Sequence, residues 1–483
     1  MPGIEALVLP LALGGALVAG ISSGDLRRRP AGVRPSRRGA RWARRRELRI
    51  LSLRRGTSAA GRLTLGKIPG SLSALTVAAE PAQSLVVVGP TQSGKTTCLA
   101  LPAILDWPGP VVAASVKSDL VRDSRLARMR RGQVWCVDPT GSTGLRASSW
   151  SPLAGCADWH RACRVAADLC ETAKADGTTA DGEFWYATAA KFLAPLLLAA
   201  ARDRRTMADV VRWVDTQEVA EVAAILERGG PTEALAAAQA SWCRDERTRS
   251  SVSTTAETVL APFAQVAEGG LAEAFEPDRL LDGSHTLYLC APAHDQRRLR
   301  GFFCALTQQV LATAFERAAR TGRPLDPPLL VVLDEAAHIA PLPELDGLAA
   351  TCASHGIQLV TIWQDLAQVK GRYGARAPTV LNNHRAKLFL PGIADPETLE
   401  YASRLVGDEE VTQPSVTRDP RGARSTTSST SVRRLLPPEE LRCLGRGRAV
   451  LVYGTLPPVR LQLQPWWTGS GSSSLSARAR SPA

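Results

Sequence analysis

The chain has 483 residues, of which 45% are hydrophobic and 22% are charged, with 59 lysines and arginines against 46 acidic residues. This length allows two or three folded domains, and the composition excludes an intrinsically disordered chain, a collagen, a small disulfide scaffold and a polytopic membrane protein. Most of the net charge of +13 lies in residues 27–55, which contain 13 arginines and one acid, Glu47, so the rest of the chain is close to neutral.

The first predicted element in the chain is a membrane anchor. Ala6–Ile21 is an uninterrupted apolar run of 16 residues, slightly shorter than the roughly 20 residues of a typical membrane-spanning helix. Arginines follow this run, which favours an uncleaved anchor with the body of the protein in the cytoplasm. We therefore predict a single-pass transmembrane anchor over residues 1–22 and a basic juxtamembrane segment over residues 23–59. The alternatives are a buried or interfacial helix, and contact of the arginines with either lipid headgroups or DNA.

A buried strand followed by a glycine-rich loop is predicted next. Ser84–Val88 has the apolar character of a buried strand, and the loop after it contains the GxxxxGK[ST] signature. The predicted nucleotide-binding residues are Gly89, Pro90, Thr91, Gln92, Ser93, Gly94, Lys95, Thr96 and Thr97. In such loops the backbone amides surround phosphates, the lysine contacts the β- and γ-phosphates, and the next hydroxyl ligates Mg²⁺. We therefore expect ATP and Mg²⁺ here, with Lys95 on the phosphates and Thr96 on the metal.

Two further strands are predicted before the middle of the chain. Gly109–Val116 leads to Lys117, and Gln133–Val137 leads to Asp138. Polar residues at the carboxyl ends of parallel strands lie at the edge where open α/β sheets bind ligands.

The middle of the chain has a helical pattern. Phe184–Arg202 is apolar on almost all sides and is therefore predicted to be a buried helix. The simplest interpretation is an all-α domain, residues 151–283, inserted between two parts of a nucleotide-binding domain, residues 60–150 and 284–467. Residues 468–483 are rich in Ser, Gly and Arg and are predicted to be a disordered tail.

An acidic strand follows the helical region. Leu329–Leu333 has five apolar residues, typical of a parallel strand buried on both faces, and Asp334 and Glu335 come directly after it. We expect this strand to neighbour the strand of the glycine-rich loop. Asp334 is then the predicted Mg²⁺ ligand and Glu335 the base that orients the attacking water, which together predict an ATPase.

One more strand supplies a candidate sensor. Gln358–Trp363 ends at Gln364, whose position favours sensing of the γ-phosphate, while a capping or loop role is the alternative. Near the end of the chain, Val416–Ser431 is rich in Ser and Thr and is predicted to be a disordered loop.

Several segments resemble the type IV coupling proteins, the TraG, TraD and TrwB group of conjugative ATPases within the FtsK–HerA superfamily. The resemblance covers about residues 60–465 in the family's order. The segments that carry it are GPTQSGKTT, VVAASVKSDL, VWCVDPTG, FWYATAAKFLAPLLLAA, VVLDEAAHI, TIWQDLAQVKGRYG, TVLNNHRAKLFLPG and RRLLPPEELRCLGRGRAVLVYG.

The resemblance implies an α/β fold with a RecA-like P-loop NTPase core, a mostly parallel sheet, an inserted all-α domain and an N-terminal membrane anchor. It also implies a homohexameric ring with ATP at the subunit interfaces. Such rings escort single- or double-stranded DNA, often with a bound relaxase, to the components of a type IV secretion channel in the inner membrane. The roles expected of Lys95, Thr96, Asp334, Glu335 and Gln364 agree with this implication.

Two features depart from the family's pattern. Family members usually have two membrane helices, whereas this sequence has one short apolar run. Many also have an arginine before the strand that ends in the glutamine, but Ala350–Gly356 contains none. Arg372, Arg376 and Arg385 remain candidates for completing the site of a neighbouring subunit.

These observations favour a membrane-anchored ATPase that couples ATP hydrolysis to transfer of DNA, or of a DNA–relaxase complex, to a secretion channel. One alternative is an FtsK-like double-stranded DNA translocase. The other is a nucleotide-dependent adaptor that recruits protein substrates to a secretion system, because the near-neutral body offers DNA no broad basic surface outside residues 27–55.

Overall fold

A computed structural model of the protein describes residues 34–53, 61–70, 75–174, 180–264, 266, 273–418 and 424–468. The predicted anchor, the start of the basic segment and nearly all of the predicted tail lie outside these residues. The described residues belong to two compact units. The small unit contains residues 34–39 and Glu409–Arg433, and the large unit contains Ala40–Asp408 and the residues from Arg434 onward.

Fifteen strands are formed by the described residues. They are β1 Arg34–Gly39, β2 Ser52–Leu53, β3 Thr64–Lys67, β4 Thr76–Ala78, β5 Leu85–Val88, β6 Val111–Ser115, β7 Val134–Val137, β8 Thr286–Cys290, β9 Leu329–Asp334, β10 Ile357–Trp363, β11 Ala386–Phe389, β12 Asp408–Arg418, β13 Arg424–Arg434, β14 Arg448–Tyr453 and β15 Val459–Gln462.

The same residues form fifteen α-helices and a few shorter helical turns. The α-helices are α1 Leu101–Asp106, α2 Asp119–Met129, α3 Trp159–Ala173, α4 Ala180–Arg202, α5 Met207–Asp215, α6 Ala220–Gly229, α7 Thr232–Trp242, α8 Glu246–Leu260, α9 Pro277–Leu280, α10 Gln296–Thr321, α11 Leu345–Thr351, α12 Leu366–Tyr373, α13 Ala377–Asn383, α14 Pro396–Val406 and α15 Pro438–Arg442. A π-helical segment, Thr96–Ala100, leads directly into α1.

The large unit is built around one mixed sheet. In the described part of the chain it has twelve strands in the order β2-β4-β3-β15-β14-β11-β5-β10-β9-β6-β8-β7. The seven strands from β11 to β7 are parallel, and the pairs on the other side of β11 are antiparallel. This largely parallel sheet confirms the predicted α/β class. The carboxyl ends of its parallel strands share one edge, at which ligands of open α/β sheets bind.

The expectation that the acidic strand neighbours the strand of the glycine-rich loop is wrong. β10 lies between β5 and β9 and pairs in parallel with both. All seven residues of β10 are buried. A strand of this length needs hydrogen-bonding partners on both edges when it is buried, which explains its central position.

Both faces of the parallel strands are covered. Val86 and Val88 of β5 belong to the core that includes residues of α3–α8 and α10, whereas Leu85 and Val87 belong to the core that includes residues of α1 and α2. This is the layering typical of an α/β protein, and it explains why the parallel strands have continuous apolar runs rather than alternating ones.

Between β7 and β8, the regular elements of the described residues are the helices α3–α9, joined by turns and loops, and an isolated bridge pairs Ser149 with Ala274. The prediction that Phe184–Arg202 forms a buried helix is confirmed by α4, in which Leu193 and residues 196–200 are at most 1% exposed. Among the described residues, Asp181–Arg202 is the one helix long and apolar enough to cross a membrane. Because 61% of its apolar window is buried within the protein, the same features fit a core helix.

The small unit contains a three-stranded sheet in the order β1-β12-β13. β1 pairs with β12 in antiparallel orientation. The prediction of a disordered loop over Val416–Ser431 is therefore wrong for the described residues of that range. The range contains four threonines, whose branched side chains favour extended structure, whereas the prediction gave more weight to its four serines.

A buried arginine closes the amino-terminal edge of the sheet. Arg128 of α2 has no exposed surface, and its guanidinium donates to the carbonyl oxygens of Trp107 at 2.6 Å, Gly109 at 2.8 Å and Ser284 at 3.1 Å. It also donates to the Thr286 hydroxyl at 2.7 Å. Burial lowers the pKa of Arg128 to about 10. This residue therefore joins the segments that enter β6 and β8.

Candidate nucleotide-binding site

The glycine-rich loop connects β5 to the helix that begins at Thr96. A side chain at Gly89 would lie 2.7 Å from Leu390 Cβ, so the close approach of these segments requires glycine at this position. Gln92 and Gly94 have left-handed backbone conformations, with φ of +62° and +96°. The Ser93 hydroxyl donates to the Pro90 carbonyl at 2.8 Å. The loop is thus a tight turn before a helix, the arrangement that presents backbone amides to phosphates.

The lysine of the loop is held against its own backbone. Lys95 Nζ donates to the carbonyl oxygens of Gly89 at 2.5 Å and Pro90 at 3.2 Å, and the residue is 6% exposed. Burial lowers the pKa of Lys95, while the nearby carboxylates of Asp334 and Glu335 act in the opposite direction. A buried cation thus faces two acids at this edge of the sheet.

The loop and the acidic strand meet through two side chains. The Thr96 hydroxyl donates to Asp334 Oδ2 at 2.9 Å, although the residues are 238 positions apart in the sequence. Asp334 is 4% exposed, and burial raises the pKa of its carboxyl, with a smaller contribution from Glu335. A buried carboxylate beside a hydroxyl is an oxygen donor set suited to Mg²⁺, whose charge would offset the cost of burying the carboxylate.

Glu335 occupies an unusual turn after β9. Its backbone has a φ of +67°, a left-handed conformation that costs a non-glycine residue on the order of 1–3 kcal/mol. The next amide, that of Ala336, donates to the Ile362 carbonyl of β10 at 3.1 Å, and His338 N donates to the Glu335 carbonyl at 2.9 Å. The side chain of Glu335 is only partly buried, and its charge acts on Lys95. The turn therefore holds a second acid next to Asp334 in different surroundings.

Gln364 follows β10, the strand between β5 and β9. Its backbone amide donates to Gln368 Oε1 at 2.9 Å, and the residue is partly buried. The next residue, Asp365, begins α12 by accepting from the Gln368 amide at 2.9 Å, and its charge also acts on Lys95. The structure thus places Gln364 between the strands of the two nucleotide motifs.

Two residues of β6 and its following turn belong to the same edge, and the sequence analysis gave them no role. Ser115 is paired with Asp334 across the sheet, and its hydroxyl lies 3.5 Å from Asp334 Oδ2. Lys117 N donates to Ser115 Oγ at 3.2 Å, and the positive charge of Lys117 acts on both Lys95 and Asp334. The polar run after a predicted strand was a usable signal for Lys117, whereas Ser115 lies within an apolar run that hides it.

The three arginines considered for a neighbouring subunit's site have partners elsewhere. Arg372 donates to the Pro341 carbonyl at 3.3 Å. Arg376 donates to the Pro343 carbonyl at 3.0 Å and pairs with Asp346 at 3.3 Å. Arg385 precedes β11, at the opposite end of the parallel strands from the loop. It pairs with Glu80 at 3.2 Å.

The fold and this edge of the sheet define a P-loop nucleotide-binding protein with an α/β core built on a largely parallel sheet. The family described as "Type IV secretory system Conjugative DNA transfer" has a model that matches residues 42–479, and the chain belongs to this family. The family membership confirms the resemblance to the type IV coupling proteins.

Curated relatives agree with this family. The chain is 24% identical over 398 residues to the conjugal transfer protein TraG of Agrobacterium fabrum strain C58, a match that covers 77% of this chain. It is also 24% identical over 403 residues to the protein VirD4 of the same organism, covering 78% of this chain. In both cases the match spans 58% of the relative's own length.

Solved structures show the same fold. The bacterial conjugative coupling protein TrwBdeltaN70 superposes with a TM-score of 0.65 at 18% identity, covering 89% of this chain and 94% of that chain. TrwB in complex with a non-hydrolysable GTP analogue gives a TM-score of 0.63 at 18% identity, covering 90% and 95%. TrwB in complex with ADP and Mg²⁺ gives a TM-score of 0.63 at 18% identity, covering 89% and 94%.

Proposed function

We propose that the protein is an ATPase that couples ATP hydrolysis to transfer of DNA, or of a DNA–relaxase complex, to a type IV secretion channel. The observation that carries the ATPase part is the 2.9 Å hydrogen bond from the Thr96 hydroxyl to Asp334, at the carboxyl edge of the parallel strands. The transfer part is supported by the family to which the chain belongs and by relatives named for conjugal transfer.

The residues present fit a nucleotide and Mg²⁺. The TrwB structures include complexes with a GTP analogue, with an ATP analogue and with ADP and Mg²⁺. In this chain the tight turn over residues 89–97 receives the phosphates, and Thr96 and Asp334 hold the metal. When bound, Mg²⁺ neutralises phosphate charge and favours hydrolysis.

The remaining side chains have separate roles in the proposed reaction. Lys95 binds phosphate oxygens in place of the carbonyls of Gly89 and Pro90. Glu335 orients the attacking water and accepts its proton, while Gln364 senses the terminal phosphate. Water bonds to the terminal phosphorus, the bond from that phosphorus to the bridging oxygen breaks, and ADP and inorganic phosphate are released.

The assembly and location belong to the same proposal. By analogy with the family, we place the protein in a homohexameric ring with ATP at the subunit interfaces. A single-pass anchor over residues 1–22 holds the ring in the inner membrane with its body in the cytoplasm. The helices between β7 and β8 form the all-α domain, residues 151–283, inserted between nucleotide-binding parts 60–150 and 284–467.

The ATPase rate of the full chain in detergent, measured with and without DNA, tests this function. We expect the wild-type rate to rise with single- or double-stranded DNA and with protein concentration, because ring assembly completes the sites. Lys95→Ala should abolish nucleotide binding or turnover. A DNA-independent slow rate would favour the adaptor, and stimulation by double-stranded DNA alone would favour the FtsK-like translocase. Absence of any ATPase activity would contradict the proposal.

A further inference from the structure

The turn after β6 carries a lysine that the proposed reaction does not yet use. Lys117 is exposed, and its ammonium has no ion pair or side-chain hydrogen bond within the described residues. The two residues that follow it have other structural positions. Ser118 precedes the first residue of α2, and Asp119 pairs with Arg122 at 3.4 Å.

The register of the sheet places this lysine at the same carboxyl edge as the nucleotide loop. Leu333 pairs with both Thr361 and Ala114, and Trp363 pairs with Val88. β6 ends at Ser115, which pairs with Asp334, while β10 and β5 end at the paired residues Trp363 and Val88. Lys117, Gln364 and Gly89 each follow the end of their strand by one or two residues, so all three belong to the carboxyl edge.

The backbone of the turn is tied to the metal-binding acid. Ser115 is 1% exposed and is the register partner of Asp334. Its hydroxyl accepts from the Lys117 amide at 3.2 Å and lies 3.5 Å from Asp334 Oδ2. Ser115 therefore links the start of the turn to Asp334.

The charge at this edge is balanced on two sides. In the strand order β5-β10-β9-β6, Asp334 ends β9 and Glu335 follows it, while the loop lysine comes after β5 and Lys117 after β6. The charge of Lys117 acts on Lys95 and on Asp334. Two carboxylates repel the anionic end of a triphosphate, so a second cation beyond them favours its binding. The partners described for Arg372, Arg376 and Arg385 belong to other segments, residues 341–346 and Glu80.

We infer that Lys117 is a second phosphate-binding lysine, which contacts the terminal phosphate of the bound nucleotide, and that Ser115 positions the turn that carries it. This inference rests on the proposed nucleotide site and adds a residue specific for the triphosphate. A diphosphate lacks the group that Lys117 contacts, so the residue distinguishes ATP from ADP.

Fluorescent derivatives of ADP and of the slowly hydrolysed analogue ATPγS, titrated with Mg²⁺ into the full chain, test the inference. One charge-assisted contact corresponds to about a tenfold to hundredfold change in affinity. Lys117→Gln should therefore weaken binding of the ATPγS derivative by that factor and leave ADP affinity within about twofold. Lys117→Arg should recover most of the difference, and Lys95→Ala should weaken binding of both nucleotides.

Lys191→Gln is the matched control, because Lys191 is an exposed lysine on α4, outside the nucleotide site. It should bind both derivatives as the wild type does. Equal ATPγS affinity of Lys117→Gln and the wild type would overturn the inference alone. A wild-type protein that binds neither derivative would overturn the proposed function and this inference with it. Thermal unfolding of each variant shows whether it is folded.

Discussion

At the scale of single residues, the two acids at the end of β9, Asp334 and Glu335, have different surroundings and therefore different expected roles. Asp334 is buried and accepts a hydrogen bond from Thr96, which suits a metal ligand. Glu335 is partly exposed and held in a left-handed turn. A strained residue next to charged groups is a common feature of functional sites.

A buried histidine that contacts β10 makes stability depend on pH. His384 is fully buried, with Nδ1 2.7 Å from the Val380 carbonyl and Nε2 3.1 Å from the Thr361 hydroxyl of β10. Burial lowers its pKa to about 4, from an ordinary value of 6.5. Above pH 6.5 the imidazole is neutral in both folded and unfolded chains. As the pH falls towards 4, only the unfolded chain gains the proton, so stability is lost at about 1.4 kcal/mol per pH unit.

Urea unfolding of the full chain at pH 7.5 and pH 5.0 measures this contribution. We expect the wild type to lose about 2 kcal/mol more between these conditions than His384→Gln, which keeps a neutral polar group at the site. Equal losses for the two proteins would show that His384 is protonated in the folded state.

Residue identities at the site were predictable where a motif constrains them. The loop, Asp334 and Glu335 follow from spacing, and the structure brings Thr96 and Asp334 into contact. Ser115 was not predictable, because one hydroxyl within a buried strand has no sequence signature. His384 and Arg128 also have no local pattern, since their partners come from distant segments that only the fold brings together.

At the scale of elements, Arg128 of α2 connects this helix to the segments that enter the sheet. Arg128 donates to five main-chain carbonyls and one hydroxyl that precede or begin β6 and β8. Removal of its guanidinium would leave buried carbonyl oxygens without donors, at about 1–3 kcal/mol for each group. The residue is therefore a structural requirement at the edge opposite the nucleotide site.

Substitution of Arg128 tests its contribution to the stability of the fold. Arg128→Met should lower the free energy of unfolding by at least about 3 kcal/mol, because several acceptors lose their donor together. Arg130→Met, at an exposed position just after α2, should change it by less than about 0.5 kcal/mol. Urea denaturation measures both values, and a small effect of Arg128→Met would mean that water replaces the lost donor.

Strands and helices with long apolar runs were predicted correctly, but the order of the strands in the sheet was not. The strands over Leu329–Leu333 and Gln358–Trp363 and the buried helix α4 follow from hydrophobic runs. The position of β10 between β5 and β9 depends on pairing between segments far apart in sequence, which periodicity does not encode. The strand β13 was missed because its serines suggested a loop.

At the scale of the whole molecule, the family match and the sheet support one account. The α/β core gathers residues from four parallel strands at one edge, and a region of helices follows β7. The helical pattern after Gln133–Val137 was visible in the sequence, and helices α3–α9 lie between β7 and β8. Residues 27–55 carry most of the net charge, and the membrane anchor before them remains a prediction.

In the proposed reaction, this edge of the sheet hydrolyses a nucleotide with Glu335 as the base. The most direct measurement compares nucleotide affinity and single-turnover ATP hydrolysis for the wild type, Glu335→Gln and the control Glu344→Gln, an exposed acid before α11.

Removal of a general base lowers the rate of hydrolysis by about 100-fold to 10,000-fold. We therefore expect Glu335→Gln to bind ATP with nearly wild-type affinity and to hydrolyse it at least about 100-fold more slowly, while Glu344→Gln behaves as the wild type does. Hydrolysis by Glu335→Gln at the wild-type rate would contradict the account.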